Sequence, residues 1–141
     1  MEKKNIDWEN IGFGYIPTDK RFVANYKDGA WDEGGLTEDP NIVMNECAGV
    51  LQYAQTVFEG MKAYTTEDGH IVTFRPDLNA KRMVDSAKRL EMPPFPEDRF
   101  VDAIVQTVRA NEAYVPPYGT GATLYILSLI HISEPTRLDV I

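Results

Sequence analysis

From Val50 to Tyr64 the chain reads Val-Leu-Gln-Tyr-Ala-Gln-Thr-Val-Phe-Glu-Gly-Met-Lys-Ala-Tyr, with few charges, the aromatic side chains of Tyr53, Phe58 and Tyr64, and one glycine, Gly60. Strand-like alternation begins at Gly60 and runs through Met61-Lys-Ala-Tyr-Thr65 into the turn Glu67-Asp68-Gly69. His70-Ile-Val-Thr-Phe74 then supplies a partner strand whose β-branched residues suit a pleated surface. The pair is a hairpin, and such a hairpin needs other elements to cover one of its faces. The aromatic stretch reads as the wall of a small-molecule pocket.

The covering elements follow directly. Pro76 opens a helix in the first-turn position, where its missing N–H costs nothing. Ala80, Met83, Val84, Ala87 and Leu90 keep helical spacing and form one apolar stripe, with Lys81, Lys88 and Arg89 away from it. Met92-Pro-Pro-Phe-Pro96 stops that helix. A second begins at Glu97-Asp98, acids suited to a helix N-terminus. Phe100, Val101, Ile104, Val105 and Val108 form its buried face, and it ends before Val115-Pro116-Pro117.

Around this core the signals are weaker. Residues 1–19 read as a polar leader carrying Trp8, Phe13 and Tyr15. Arg21 to Tyr26 alternates as a strand, Lys27-Asp28-Gly29 is a turn, and Ala30-Trp31 begins a return strand. Asp32 to Asn45, rich in Gly, Asp, Glu and Pro, reads as a surface loop. Tyr118 to Ala122 is a connector and Thr123-Leu-Tyr-Ile126 another strand. The order implies an α+β fold, an antiparallel sheet with two packed helices.

The 141 residues suffice for one domain with a real core. Acids number 22 against 14 lysines and arginines, a formal charge of −8. That balance argues against a nucleic-acid surface, which needs a basic face against phosphate. Cys47 is the only cysteine, so an intrachain disulfide and a cysteine-rich zinc site are excluded. No metal site is expected. Neither a signal-peptide core nor an apolar run of membrane-spanning length is present, so the expectation is a soluble, cytoplasmic protein with no membrane partner.

Candidate chemistry is sparse when judged from residue patterns alone. His70 follows a turn, where exposed histidines are common, and no hydrolase triad is supported. Gly119-Thr-Gly121 lacks both the lysine of a phosphate loop and the spacing of a dinucleotide loop, and reads as a hinge. Glu67 and Asp68 belong to the hairpin turn. Arg82 lies beside the apolar stripe next to Met83. A guanidinium there could fork onto a phosphate or carboxylate, although periodicity alone favours a solvated or ion-paired side chain. By the same standard Tyr53, Phe58 and Tyr125 read as core aromatics.

Longer motifs carry more. Tyr53-Ala-Gln-Thr-Val-Phe-Glu-Gly-Met-Lys-Ala-Tyr64, Phe74-Arg-Pro-Asp-Leu-Asn-Ala-Lys-Arg-Met83, Ser86-Ala-Lys-Arg-Leu90, Met92-Pro93 and Gly121-Ala-Thr-Leu-Tyr-Ile126 resemble branched-chain amino acid aminotransferases. Phe13-Gly14 followed by Thr18-Asp19 fits the same family. These are fold-type IV enzymes using pyridoxal 5'-phosphate, and the resemblance covers roughly residues 5 to 126. It implies the small N-terminal domain of such an enzyme over residues 1–126. It also implies transfer of the amino group of leucine, isoleucine or valine to 2-oxoglutarate, giving glutamate, in a homodimeric parent. Arg82 matches the arginine that grips the cofactor phosphate. Phe13, Tyr53, Phe58 and Tyr125 match positions lining the substrate pocket, where aromatic walls suit a branched aliphatic group. A D-amino acid aminotransferase, an aminodeoxychorismate lyase relative, or a non-catalytic binding module are the alternatives.

Two departures qualify the match. Where the family continues past Tyr125-Ile126 with an Arg-Pro pair, this chain has Leu127-Ser128. None of its lysines matches the family's Schiff-base lysine, which the resemblance places in a second, larger domain, so no catalytic residue is assigned here. Residues 127–141, centred on Ser128-Leu-Ile-His-Ile-Ser-Glu-Pro-Thr-Arg137, resemble the translated adapter read-through that ends some draft gene models. The expectation is a truncated, inactive fragment with a non-family tail.

Overall fold

A computed structural model describes residues 2–133. Its central element is strand β5, Thr56–Thr65, flanked by β6, Ile71–Thr73, and β7, Leu124–His131, in an antiparallel sheet of order β6-β5-β7. The expected hairpin is present, with Ala63 opposite Thr73 and Thr65 opposite Ile71. On the other edge β7 pairs along most of β5, from Thr56 opposite His131 to Ala63 opposite Leu124. Strand β5 starts at Thr56, four residues before the alternation read from the sequence. The short helix α1, Gly49–Tyr53, precedes it and has no counterpart in the sequence reading. Ala54, with φ of 51°, ends that helix without a glycine to mark the break.

Alternation along β5 puts Val57, Glu59, Met61 and Ala63 on the covered face and Phe58, Lys62 and Tyr64 on the exposed one. The cover is made by α2, Pro76–Arg89, and α3, Glu97–Ala110, as the sequence predicts. Arg75 turns the chain from β6 into α2 with a left-handed backbone, φ 47°, and its guanidinium grips Asp77 in the first turn. At the far end Glu91, φ 54°, lets Met92 N–H bond Ala87 C=O at 2.9 Å and Glu91 N–H bond Lys88 C=O at 3.1 Å. That is a Schellman closure built without glycine.

The core joins Val57, Met61, Ala63 and Ile126 of the sheet to Ala80, Met83 and Ala87 of α2 and to Phe100, Ile104 and Val108 of α3. Met92 and Phe95, from the proline-rich stop, are buried with them, so the terminator is also core. Met83 is 1% exposed. Burial of such a side chain contributes roughly 2–3 kcal/mol. Two expected core positions differ: Leu90 and Val105 are exposed. Leu90 caps α2 beyond its packed turns, and Val105 lies off the face defined by Phe100, Ile104 and Val108.

The expected loop after Trp31 contains β4, Gly35–Thr37, which pairs with β1, Arg21–Val23. The turn at Lys27-Asp28-Gly29 joins β2, Tyr26–Lys27, to β3, Ala30–Trp31. This outer ribbon is tied to the helices by Trp31 Nε1, which donates to the Pro94 carbonyl at 2.9 Å, and by Arg99, which donates to the carbonyls of Asp32 and Glu33. Strand β7 runs through the expected boundary at residue 126, and residues 127–131 are part of the sheet. The rest of the expected tail, 134–141, lies outside the described residues. No helix among the described residues is long and apolar enough to cross a membrane.

Candidate functional site

The exposed face of the sheet carries Phe58 opposite Leu129, Lys62 opposite Tyr125, and Tyr64 opposite Val72. Phe58 is 66% and Tyr125 56% exposed, values far from those of core aromatics. Packing of α2 and α3 consumes only the other face, so this one is left as an apolar surface with a few polar tips. Gly60, Lys62, Tyr64, Phe74, Asn79 and Tyr125 line an open groove along it. Gly60 is required for its shape, because a Cβ there meets carbons of the Tyr125 ring at 3.0 Å.

Arg82 projects from α2 to the covered side. Its Nε donates to Glu59 Oε1 and its Nη2 to Glu59 Oε2, both at 2.7 Å, a bidentate pair. Glu59 is buried, and Asn79 Nδ2 donates to its Oε2 at 2.8 Å. The Arg82 hydrogen bonds, aided by Asn79, hold the Glu59 carboxyl below its ordinary range against the opposing effect of burial. Asn79 also leans on the Gly60 carbonyl at 3.4 Å, linking this cluster to the groove.

The sequence-derived residues are therefore brought together only in part. Phe58 and Tyr125 share the open face of one sheet. Tyr53 ends α1, exposed, and that helix is held to the end of β7 through Val50 N–H to the Ile132 carbonyl at 3.0 Å. Phe13 stands fully exposed on the N-terminal segment, apart from the sheet. Arg82 and Phe58 belong to opposite sides of β5, since Glu59, which Arg82 grips, is the next residue along the strand. Sequence reasoning missed Glu59. The available signal is its alternation with Val57 and Met61, which puts an acid inside and demands a cation from α2.

A phosphorylated cofactor fits this donor set at one end. Two N–H groups of Arg82 are spent on Glu59, while the side chain remains 65% exposed with the others available to an anion. Among the described residues no cluster of acids, histidines or cysteines is arranged to hold a metal ion.

Comparison with known proteins decides the affiliation. No protein-family model matches the chain. Over 123 residues it is 51% identical to the branched-chain-amino-acid aminotransferase of Haemophilus influenzae, covering 87% of this chain and 36% of that protein. Over the same length it is 44% identical to the enzyme of Helicobacter pylori, with the same shares. The chain belongs to the branched-chain aminotransferase family. It spans about a third of the length of the curated relatives it matches. Solved structures agree on the fold. The enzyme of the archaeon Thermoproteus uzoniensis with norvaline superposes with a TM-score of 0.60 at 29% identity, over 84% of this chain and 36% of that one. A second solved branched-chain aminotransferase, complexed with N-(5'-phosphopyridoxyl)-L-glutamate, gives 0.61 at 28% identity, over 82% and 33%. The α+β architecture is thus that of the fold-type IV aminotransferases.

Proposed function

We propose that this chain forms one side of the active site of a pyridoxal-phosphate-dependent branched-chain aminotransferase. The parent reaction moves the amino group of leucine, isoleucine or valine to 2-oxoglutarate. The observation that carries the reading is the sheet itself, one face packed on helices and the other left open with Phe58 opposite Leu129 and Tyr125 opposite Lys62. An exposed aromatic surface of this kind is expected of a ligand or partner site and not of a finished domain surface. The resemblance of the Phe58 and Arg82 motifs to those of aminotransferases gives it its chemistry.

In this reading Arg82 holds the cofactor phosphate with the guanidinium edge not committed to Glu59. When bound, the cofactor supplies an electron sink for the amino-group transfer. Phe58 and Tyr53 give apolar surface to the branched side chain and exclude water from it, and the Tyr125 hydroxyl offers a polar contact at the groove rim. Leu127 stands opposite Gly60, at the place where the resemblance leads one to expect an arginine for substrate carboxylates. Lys62, across from Tyr125, is a cation on that face. Residues 1–126 make up the aminotransferase part, residues 127–141 are foreign to it, and the parent is a cytoplasmic homodimer.

A domain exchange tests the reading. Residues 1–126 replace the matching third of the Haemophilus influenzae relative, and transamination of leucine with 2-oxoglutarate is measured beside D-alanine as donor. Turnover with leucine and none with D-alanine is expected, with none from the 141-residue chain alone. A well-folded exchange product that prefers D-alanine, or turns over neither, overturns the assignment.

A further inference from the structure

Glu59 occupies an inward position of β5 whose neighbours on the same face are Val57, Met61 and Ala63. A carboxylate among such side chains is costly unless its lone pairs are used. Here they are, by Arg82 Nε, Arg82 Nη2 and Asn79 Nδ2. The two partners differ sharply in exposure: 6% for the Glu59 side chain and 65% for that of Arg82. One edge of the guanidinium is therefore anchored to the central strand, while its remaining N–H groups have no protein partner among the described residues. A long side chain on a helix surface loses rotamer freedom when a ligand orders it. An arginine already fixed by a buried carboxylate has met that cost during folding, and a planar fork keeps its direction.

We propose that Glu59 is a positioning residue for the cofactor phosphate, holding Arg82 so that its free edge can fork onto that group. The proposal rests on the reading of Arg82 as the phosphate ligand. Glu59 touches neither phosphate nor substrate and acts only through Arg82. Its negative charge works against an incoming anion, so its benefit lies in orientation and not in attraction. Glutamine at this position retains one acceptor oxygen, and its amide N–H groups oppose the donors of Arg82 or Asn79, so the bidentate anchor is lost.

The test titrates the 141-residue chain with pyridoxamine 5'-phosphate, which has no aldehyde to react with surface lysines, and follows the phosphorus resonance. Pyridoxamine without phosphate is the control. The nitrogen-15 signal of the Arg82 Nε–H group, and its exchange with solvent, report the anchor directly. Arg82→Gln is expected to abolish phosphate-dependent binding. Glu59→Gln is expected to weaken it about tenfold, as loss of an orienting partner commonly does for a ligand-holding group, and to speed exchange at Arg82 Nε–H. If Glu59→Gln does not fold, Glu59→Asp, which keeps the charge and shortens the reach, is expected to lose affinity in the same direction. Unchanged binding in Arg82→Gln, or no phosphate-dependent binding by the unaltered chain, overturns the reading of Arg82 and this proposal with it. Loss in Arg82→Gln together with equal or tighter binding in both Glu59 variants overturns the role of Glu59 alone.

Discussion

The ring of Tyr125 on β7 lies over Gly60 on β5, so that a Cβ at residue 60 meets two of its ring carbons at 3.0 Å and its hydroxyl oxygen closer still. Gly60 has no unusual backbone angle, so its glycine is a matter of space and not of conformation. Gly60→Ala is expected to push the exposed Tyr125 ring aside, at a cost of about 0.5–1.5 kcal/mol in denaturant unfolding, the scale of a side chain forced off its rotamer. In a Tyr125→Ala background the same change is expected to be neutral within about 0.5 kcal/mol, and an undiminished cost there refutes the contact as its cause.

The ion pair of Glu59 and Arg82 sets a pH dependence. The folded carboxyl titrates below its ordinary value of 4.5, chiefly through the Arg82 hydrogen bonds. Between the folded and unfolded values the unfolded chain binds more protons. The pair's contribution is therefore complete above pH 4.5 and is lost as pH falls through the lower folded value. Unfolding free energy measured from about pH 6 downward is expected to drop less steeply in Glu59→Gln than in the unaltered chain. Parallel acid limbs exclude this contribution.

Asn111 is 2% exposed and ties the N-terminal segment to the end of α3. Its Oδ1 accepts from Lys20 N–H at 3.0 Å, and its Nδ2 donates to the carbonyls of Lys20 at 2.7 Å and Thr107 at 2.8 Å. Asn111→Ala leaves the part-buried N–H and C=O of Lys20 without these partners, while the Thr107 carbonyl keeps the backbone N–H of residue 111. A backbone group so left costs about 1–3 kcal/mol. A loss of roughly 2–4 kcal/mol by thermal or denaturant unfolding is expected, with faster amide exchange at Lys20. A loss under about 0.5 kcal/mol, the scale of an ordinary surface substitution, rejects the anchor.

Met83 sits where α2 meets the sheet and α3. Met83→Ala is expected to destabilise by about 2–5 kcal/mol, the range for emptying a closed core site. Met83→Leu, which keeps volume, is expected to stay within about 1.5 kcal/mol. Equal losses in the two variants point away from packing.

His131, at the end of β7, has a buried Nδ1 without a hydrogen-bond partner among the described residues, and burial lowers its pKa from 6.5. The fold thus favours the neutral ring. Its stability is complete above pH 6.5 and falls as the unfolded chain takes up the proton below that value. His131→Leu is expected to remove this decline between pH 6.5 and the acid limb. An unchanged profile means that residue 131 is not packed in the sheet.

Much of this architecture is legible in the residues. The stripe of Ala80, Met83, Val84 and Ala87 marks α2, and Glu67-Asp68-Gly69 marks the hairpin, because each signal lies within a few positions and reflects the period of its own element. The start of β5 is not legible, because Ala54 takes the left-handed turn that ends α1 and no glycine or proline announces it. Strand β4 is hidden because a three-residue strand among Gly, Glu and Asp has no periodicity to detect, and only pairing with Arg21 to Val23 creates it. Leu90 and Val105 fit a helical stripe but exceed what the neighbouring elements can cover.

By itself the sequence carried the likeness to branched-chain aminotransferases, the two amphipathic helices and the positions of the aromatic and arginine candidates. Tertiary structure decided which of them share a face. Which face of β5 is covered follows from packing against α2 and α3, and that choice leaves Phe58 and Tyr125 in the open and turns Glu59 inward. The bond between Glu59 and Arg82 spans 23 positions of sequence. It depends on the phase of the strand and the docking of the helix together, and neither local propensity nor spacing along the chain encodes that relation.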